Sequence, residues 1–282
     1  MAGFFGLFDY TKEGKGVEKS ERPKKGFFLF FEVFFRNLWN FIKIDAVYWL
    51  TSLLVITNGP AKAGLTYIAR STMRQKHSFL FSDYFDTVRK NLKQSLILGT
   101  INLLCTTLFI LDIVYFWNSL AKEFTIFNVL GLALAFFLLV CTTFMKYYIW
   151  TLVITFKLSI KELIKNSFHF VFLNLWRNIL IAAVCGFCYA VSYLLAVFNG
   201  LGMIFAVFFM VFVFPGFKAG IIQVNTFPII QKLMIDPYYK EHKGEDIEKR
   251  RALGLDIPED ELPGPDEKSV FSDSDVTKEN SM

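Results

Sequence analysis

Residues 61–75 read AKAGLTYIARSTMRQ, and whether this stretch crosses a lipid bilayer decides the architecture. Hydropathy alone makes it too polar for a span, since it carries Lys62, Arg70 and Arg74. Its neighbours frame the question. Upstream, FFLFFEVFFRNLWNFIK mixes Glu32, Arg36 and Lys43 with aromatic residues, the pattern of an interfacial helix. It runs into IDAVYWLTSLLVIT, giving a first span over about 38–57 that stops at Asn58-Gly59-Pro60, a strong turn and helix-restart signal. Downstream, Phe81, Tyr84, Phe85, Val88 and Leu92 recur at helical spacing, with Asp83, Asp86, Arg89 and Lys90 elsewhere. That is an amphipathic surface helix over 79–95.

Charge resolves the ambiguity. If 61–75 is a span and the N-terminus is cytoplasmic, the inner segments 1–37, 68–95, 146–178 and 216–282 hold 7, 6, 5 and 9 of the Lys and Arg, or 27 of 30. The outer turns keep only Lys62 and Lys122, and Lys43 lies within the first span. This is a pronounced positive-inside distribution. Removing 61–75 as a span would put the basic segments 1–37 and 68–95 on opposite faces. The reading is therefore that 61–75 crosses, with Lys62 at the outer interface and Arg70 and Arg74 at the inner one.

The remaining apolar runs follow simply. Residues 96–117 end in Tyr115-Phe116-Trp117, an aromatic interface anchor. Further spans cover about 124–147, 175–197 and 201–223, and a second amphipathic stretch covers 158–173. The expected fold class is all-α: a polytopic membrane helix bundle of six spans arranged as three hairpins (38–57 with 60–76, 94–117 with 124–147, 175–197 with 201–223), with interfacial amphipathic helices and both termini in the cytoplasm. Its parts are a basic cytoplasmic segment 1–26, a transmembrane domain 27–223 and a cytoplasmic tail 224–282. Beyond Gly254 the tail is acidic with few large apolar residues, so no core is expected there. The start is Phe-rich and then basic, the reverse of a secretory signal.

Composition agrees. The 282 residues are 54% apolar and include 34 Phe, mean hydropathy is +0.42, and charged residues make up 20% against about 25% in soluble domains. All four Cys fall in apolar runs, so Cys185 and Cys188, although spaced CxxC, read as packing residues rather than a redox pair. Three scattered His cannot complete a zinc site. There is no P-loop, HExxH or GxSxG motif. No cofactor and no enzymatic activity are expected, and nothing suggests nucleic acid.

The internal echoes are short. FRNLWN (35–40), RKNLKQ (89–94) and NLWRN (174–178) precede hairpins, and Lys62-Ala63-Gly64 matches Lys218-Ala219-Gly220, each shortly after a Pro. Either a structural repeat or ordinary interface chemistry accounts for them.

From Trp49 to Leu98 the chain carries LVITNGPA (54–61), then Ala63-Gly64-Leu65-Thr66-Tyr67, the Phe81–Phe85 block and Asn91-Leu92-Lys93-Gln94-Ser95. This resembles the YesL-like integral membrane family of Gram-positive bacteria, whose members read P-V-V-T-x-G-P-A and then F-x-x-N-F-K-Q. Here Leu54-Val55-Ile56 replaces the Pro-led run and Leu92 replaces the Phe. The resemblance implies a bacterial cell-membrane protein without an assigned activity and an accessory role in carbohydrate uptake, with a sugar-transporter subunit as the implied partner.

Ionisable and polar groups inside spans are the functional candidates, because burying them is costly. They are Asp45, Asn102 (with Thr106) and Asp112; Lys43 or Lys62 are the partners available to Asp45. A pathway reading needs these groups around a polar cavity, and the alternative is carboxylates reaching water at span ends. Asn58, Gly59, Pro60, Ala63, Gly64 and Asn91 form a candidate structural motif, the small residues allowing close helix packing. The basic face reports contact with anionic lipids. A scaffold or accessory protein ranks first, a small-molecule permease second and a membrane enzyme third.

Overall fold

The computed structural model describes residues 27–76, 78–198 and 200–241, and every element among them is helical. They are α1 Phe27–Arg36, α2 Leu38–Thr51, a 3-10 turn Val55–Thr57, α3 Asn58–Met73, α4 Leu80–Lys90, α5 Leu92–Lys122, α6 Ile126–Thr155, α7 Ile160–Leu173, α8 Leu175–Phe198, α9 Gly200–Phe212, α10 Phe214–Ile230, a π-helical turn Gln231–Ile235 and α11 Asp236–Glu241. The basic segment 1–26, His77, Asn199 and the tail from 242 lie outside the described residues.

Among the described residues, three helices are long and apolar enough to cross a membrane: α5, α6 and α8, with 31, 30 and 24 residues. At ~1.5 Å per residue each exceeds the ~30 Å hydrocarbon layer. Helix α9 and the segment Phe214–Tyr239 make a fourth candidate if their 49° bend is taken as a broken span. The break falls at Val213, beside Pro215 in the first turn of α10, where the missing N–H costs nothing. These four match the runs expected at 94–117, 124–147, 175–197 and 201–223. The two remaining expected spans are occupied by α2 and α3, of only 14 and 16 residues, about 21 and 24 Å long.

Helix α3 explains its own weak hydropathy. Twelve of its sixteen residues are buried, packed by α2, α4, α5, α6 and α10, so its surroundings are protein rather than lipid. Small residues make this possible. A Cβ on Gly59 would collide with the Ser95 carbonyl oxygen and lie 3.1 Å from the Gly99 Cα, and one on Gly64 would lie 2.7 Å from the Tyr84 ring. The polar end of α3 is also satisfied within protein. Arg70 is 7% exposed, donates to Thr155 Oγ1 at 2.6 Å and lies over the rings of Tyr67 and Phe227.

The amphipathic stretches fold as α4 and α7. Tyr84 is buried against α3 and Val88 is half-buried, whereas Phe81 and Phe85 stay exposed. Helix α7 begins with a capping box: Glu162 N–H donates to Ser159 Oγ, and Ser159 N–H donates to Glu162 Oε2 at 2.8 Å. That backbone donor holds the Glu162 carboxyl below the usual range. Aromatic packing joins the N-terminal helices to α10, with Phe217 edge-on to Phe30 and Phe34 at 5.2 and 5.4 Å. Helical structure continues past the expected boundary at 224, because Phe227, Ile230, Ile235 and Tyr239 recur on one side and are buried.

Candidate functional site

Helices α2, α3, α6, α8, α9 and α10 line a half-open cavity of about 740 Å³, within the size range of small-molecule sites. Its chemistry comes from three lysines. Lys62 sits on the second turn of α3, Lys146 lies in the last third of α6, and Lys218 is on the second turn of α10. All three are half-buried and within electrostatic reach of one another. The expectation that Lys62 reaches an outer interface while Lys146 and Lys218 belong to inner segments is corrected here, because all three line one cavity. The long stem of lysine lets an ammonium reach the cavity from a helix that is otherwise packed in protein.

The lysines have little company of opposite sign. Among the described residues, no Asp or Glu lines the cavity. Lys146 Nζ donates to Thr106 Oγ1 at 2.9 Å, and Thr106 Oγ1 donates in turn to the Asn102 carbonyl at 2.7 Å. Among the described residues, no hydrogen bond or ion pair is found for Lys62 or Lys218. A single Lys at a bilayer centre costs on the order of 3 kcal/mol on insertion scales, so three together require a polar, hydrated or ligand-filled space.

The remaining walls are largely apolar, with aromatic rings and a few hydroxyl groups. Tyr48 and Trp49 come from α2, Tyr147 and Trp150 from α6, and Tyr189 and Ser192 from α8. Trp49 Nε1 donates to the Val211 carbonyl at 2.7 Å, pinning α2 to the end of α9. Gln223 on α10 is 3% exposed and donates through Nε2 to Thr151 Oγ1 at 2.7 Å. Its Oε1 is buried without a partner. An unmatched buried acceptor costs about 1–3 kcal/mol, and Gln223 is one of the residues of the cavity wall.

The residues singled out from sequence lie around this cavity rather than on it. Asp45 is fully buried, and its Oδ2 accepts from the Gly216 N–H at 2.9 Å, while Oδ1 has no partner. It thus caps the first turn of α10 from a neighbouring helix, where the amide dipoles favour it. Neither proposed partner reaches it: Lys43 Nζ stacks 5.7 Å over Trp39, and Lys62 lines the cavity. Asn102 joins at one remove through Thr106 and Lys146. Asp112 lies in the second half of α5, half-buried and away from the cavity. Asn58 accepts weakly from Tyr48 OH at 3.4 Å. Gly59, Pro60, Ala63 and Gly64 are buried in α3. Asn91 ends α4, donates to the Thr87 carbonyl at 3.0 Å and lines a second crevice with Lys90 and Gln94. Among the described residues no group of three or more His, Cys, Asp or Glu is placed to hold a metal ion.

Sequence reading missed the lysine constellation, since each lysine was assigned as a flanking charge. The available signal was the Lys-Ala-Gly echo, whose two lysines are the fifth residues of α3 and α10 and line the same cavity.

A family model described as "Protein of unknown function, DUF624" matches residues 26–113, that is α1 to α4 and most of α5. This similarity is consistent with the YesL-like resemblance. It includes Lys62 but neither Lys146 nor Lys218. No curated protein and no solved structure matches the chain.

Proposed function

We propose that this chain is a multi-pass plasma-membrane protein that binds a small solute in the lysine-lined cavity, acting as a permease or as the solute-binding part of a carbohydrate-uptake system, without enzymatic activity. The cavity itself carries the reading. It is a half-open cleft lined by six helices, has the volume of a metabolite site, and mixes apolar and aromatic walls with a few polar groups. Its presence places solute binding above the pure scaffold role that the apolar spans suggested.

The membrane arrangement proposed with it keeps both termini cytoplasmic. Helices α5, α6, α8 and the bent α9–α10 pair span, while α2 and α3 enter and leave by the cytoplasmic face. Four observations support this. Both helices are short. Gly59 packs against Ser95 and Gly99 near the start of α5, and Arg70 meets Thr155 at the end of α6. The apolar turn between α2 and α3 exposes Leu53, Leu54 and Ile56, as lipid contact requires. Helices α4 and α7 then lie at the cytoplasmic interface with anionic lipids near Lys90, Lys161 and Lys165. The positive-inside distribution is the same whether α2 and α3 dip into the bilayer or cross it.

A second reading keeps the protein as an accessory subunit of a sugar transporter. It is favoured by the α5–α6 hairpin, whose apolar windows are only 6% and 11% buried, leaving long faces for a partner helix or lipid. Reconstitution separates the two. Proteoliposomes holding only this chain, tested with labelled mono- and disaccharides and their acidic and phosphorylated forms, should take up or exchange at least one of them. Failure with every solute, alongside transport after adding a co-purifying transporter, would leave the accessory reading.

A further inference from the structure

We propose that the cavity is an anion site, and that its ligand is a hydroxyl-bearing organic anion of the phosphate-monoester type. Resting on the solute-site reading above, this narrows it to one chemical class. Lys62, Lys146 and Lys218 are separated by 84 and 72 residues (146 − 62 and 218 − 146), yet line one cavity. Three ammonium groups gathered with no carboxylate among the described residues of the wall form a charge that these helices leave uncompensated. Such charges persist in proteins when a counter-charge completes them.

Asp45 does not compensate them. It does not line the cavity, and one of its oxygens is engaged by the Gly216 N–H. The only protein acceptor found for any of the three ammonium groups, among the described residues, is the Thr106 hydroxyl on Lys146. Lysine is the side chain that binds phosphate as a compact point charge with several rotatable donors.

One further observation shapes the ligand. Gln223 is 3% exposed and presents an unpartnered acceptor, Oε1. Its amide orientation follows from Thr151, whose hydroxyl donates to the Tyr147 carbonyl and so must accept from Nε2. A bare anion without a hydrogen would leave Oε1 unmet, whereas a hydroxylated anion satisfies both features. Trp150 and Tyr147 supply flat surfaces for its carbon skeleton.

A phosphate monoester with hydroxyls exists both as a soluble metabolite and as a lipid headgroup, and one binding experiment distinguishes the sources. The full chain, purified in a neutral maltoside, is titrated calorimetrically with glycerol 3-phosphate, with glycerol as the uncharged counterpart, and with phosphatidic acid in phosphatidylcholine nanodiscs. Glycerol 3-phosphate should bind with an affinity that falls as salt rises, and glycerol should not. Lys62→Gln, Lys146→Gln and Lys218→Gln should each weaken binding about tenfold or more, with Lys218→Arg retaining most of it. Lys122→Gln, on the exposed end of α5 and away from the cavity, should leave it unchanged, and an unaltered gel-filtration profile shows that each variant is folded. Phosphatidic acid that displaces glycerol 3-phosphate with the same lysine dependence assigns the anion to a lipid and supports the inference. Equal binding of glycerol and its phosphate, or wild-type affinity in all three Lys→Gln variants, would overturn the anion site while leaving a solute site standing. No binding of any probe, together with no uptake of any solute, would remove both.

Discussion

Replacing Asp45 separates a structural carboxyl from a pathway carboxyl. Asp45 Oδ2 accepts the Gly216 N–H at 2.9 Å on the first turn of α10, immediately after the 49° bend. Asp45→Ala removes that acceptor and leaves a buried backbone donor unmet. A buried donor left without its acceptor costs about 1–3 kcal/mol. Release of the buried carboxyl, whose Oδ1 has no partner, offsets part of this. The expected net loss is about 2 kcal/mol, a fall in Tm of roughly 5 °C. Asp45→Asn keeps an oxygen of the same shape facing Gly216 and should stay within about 1 kcal/mol of wild type. Thermal unfolding in detergent, followed by circular dichroism, measures both. Since Asp45 does not line the cavity, Asp45→Asn should also retain solute binding. Equal stability of the Ala and Asn variants would refute the capping role, and loss of binding in a stable Asn variant would return Asp45 to the pathway.

Two other outcomes follow from local geometry. Gly59→Ala sets a methyl against the Ser95 carbonyl and the Gly99 backbone, neither of which can rotate away, whereas Gly186 has nothing within 4 Å. Unfolding in detergent should show Gly59→Ala destabilised by about 1–3 kcal/mol and Gly186→Ala neutral or stabilised by up to about 1 kcal/mol; the reverse order would contradict the α3–α5 contact. For Glu162, the folded carboxyl titrates below its unfolded value because the Ser159 N–H favours the charged form. Its contribution is therefore present above the unfolded pKa of about 4.3 and is lost as pH falls through the folded one. Carboxyl NMR of the labelled chain should find Glu162 titrating below the ordinary range and returning toward it in Ser159→Ala. No change in that variant would dismiss the capping box.

Much of the architecture was legible because lipid and interface impose simple rules. Helices α5, α6 and α8 announce themselves as apolar runs, and Tyr84 with Val88 reveals the packed side of α4 by helical spacing. Helix α3 was harder. Hydropathy measures suitability for lipid, and the neighbours of α3 are Tyr84, Ser95 and Gly99, which no one-dimensional window can see. The helix beyond 224 is hard to read for a related reason, since Pro228 and the polar Asn225, Thr226, Gln231 and Lys232 interrupt the apolar run to which the buried Phe227 and Ile230 belong. The site was least legible of all. Lys62, Lys146 and Lys218 each sit near the end of an apolar run, where a lysine ordinarily marks an interface. Only packing α3, α6 and α10 together turns three boundary charges into one constellation.

That convergence is open to direct measurement. A chain with its four native cysteines replaced carries Lys62→Cys and Lys218→Cys together, and intact membranes are treated with a short bifunctional maleimide. Mass spectrometry of the digest should find the two positions joined within one molecule. Absence of the link, with an impermeant maleimide reaching the two thiols from opposite faces of the membrane, would contradict the shared cavity.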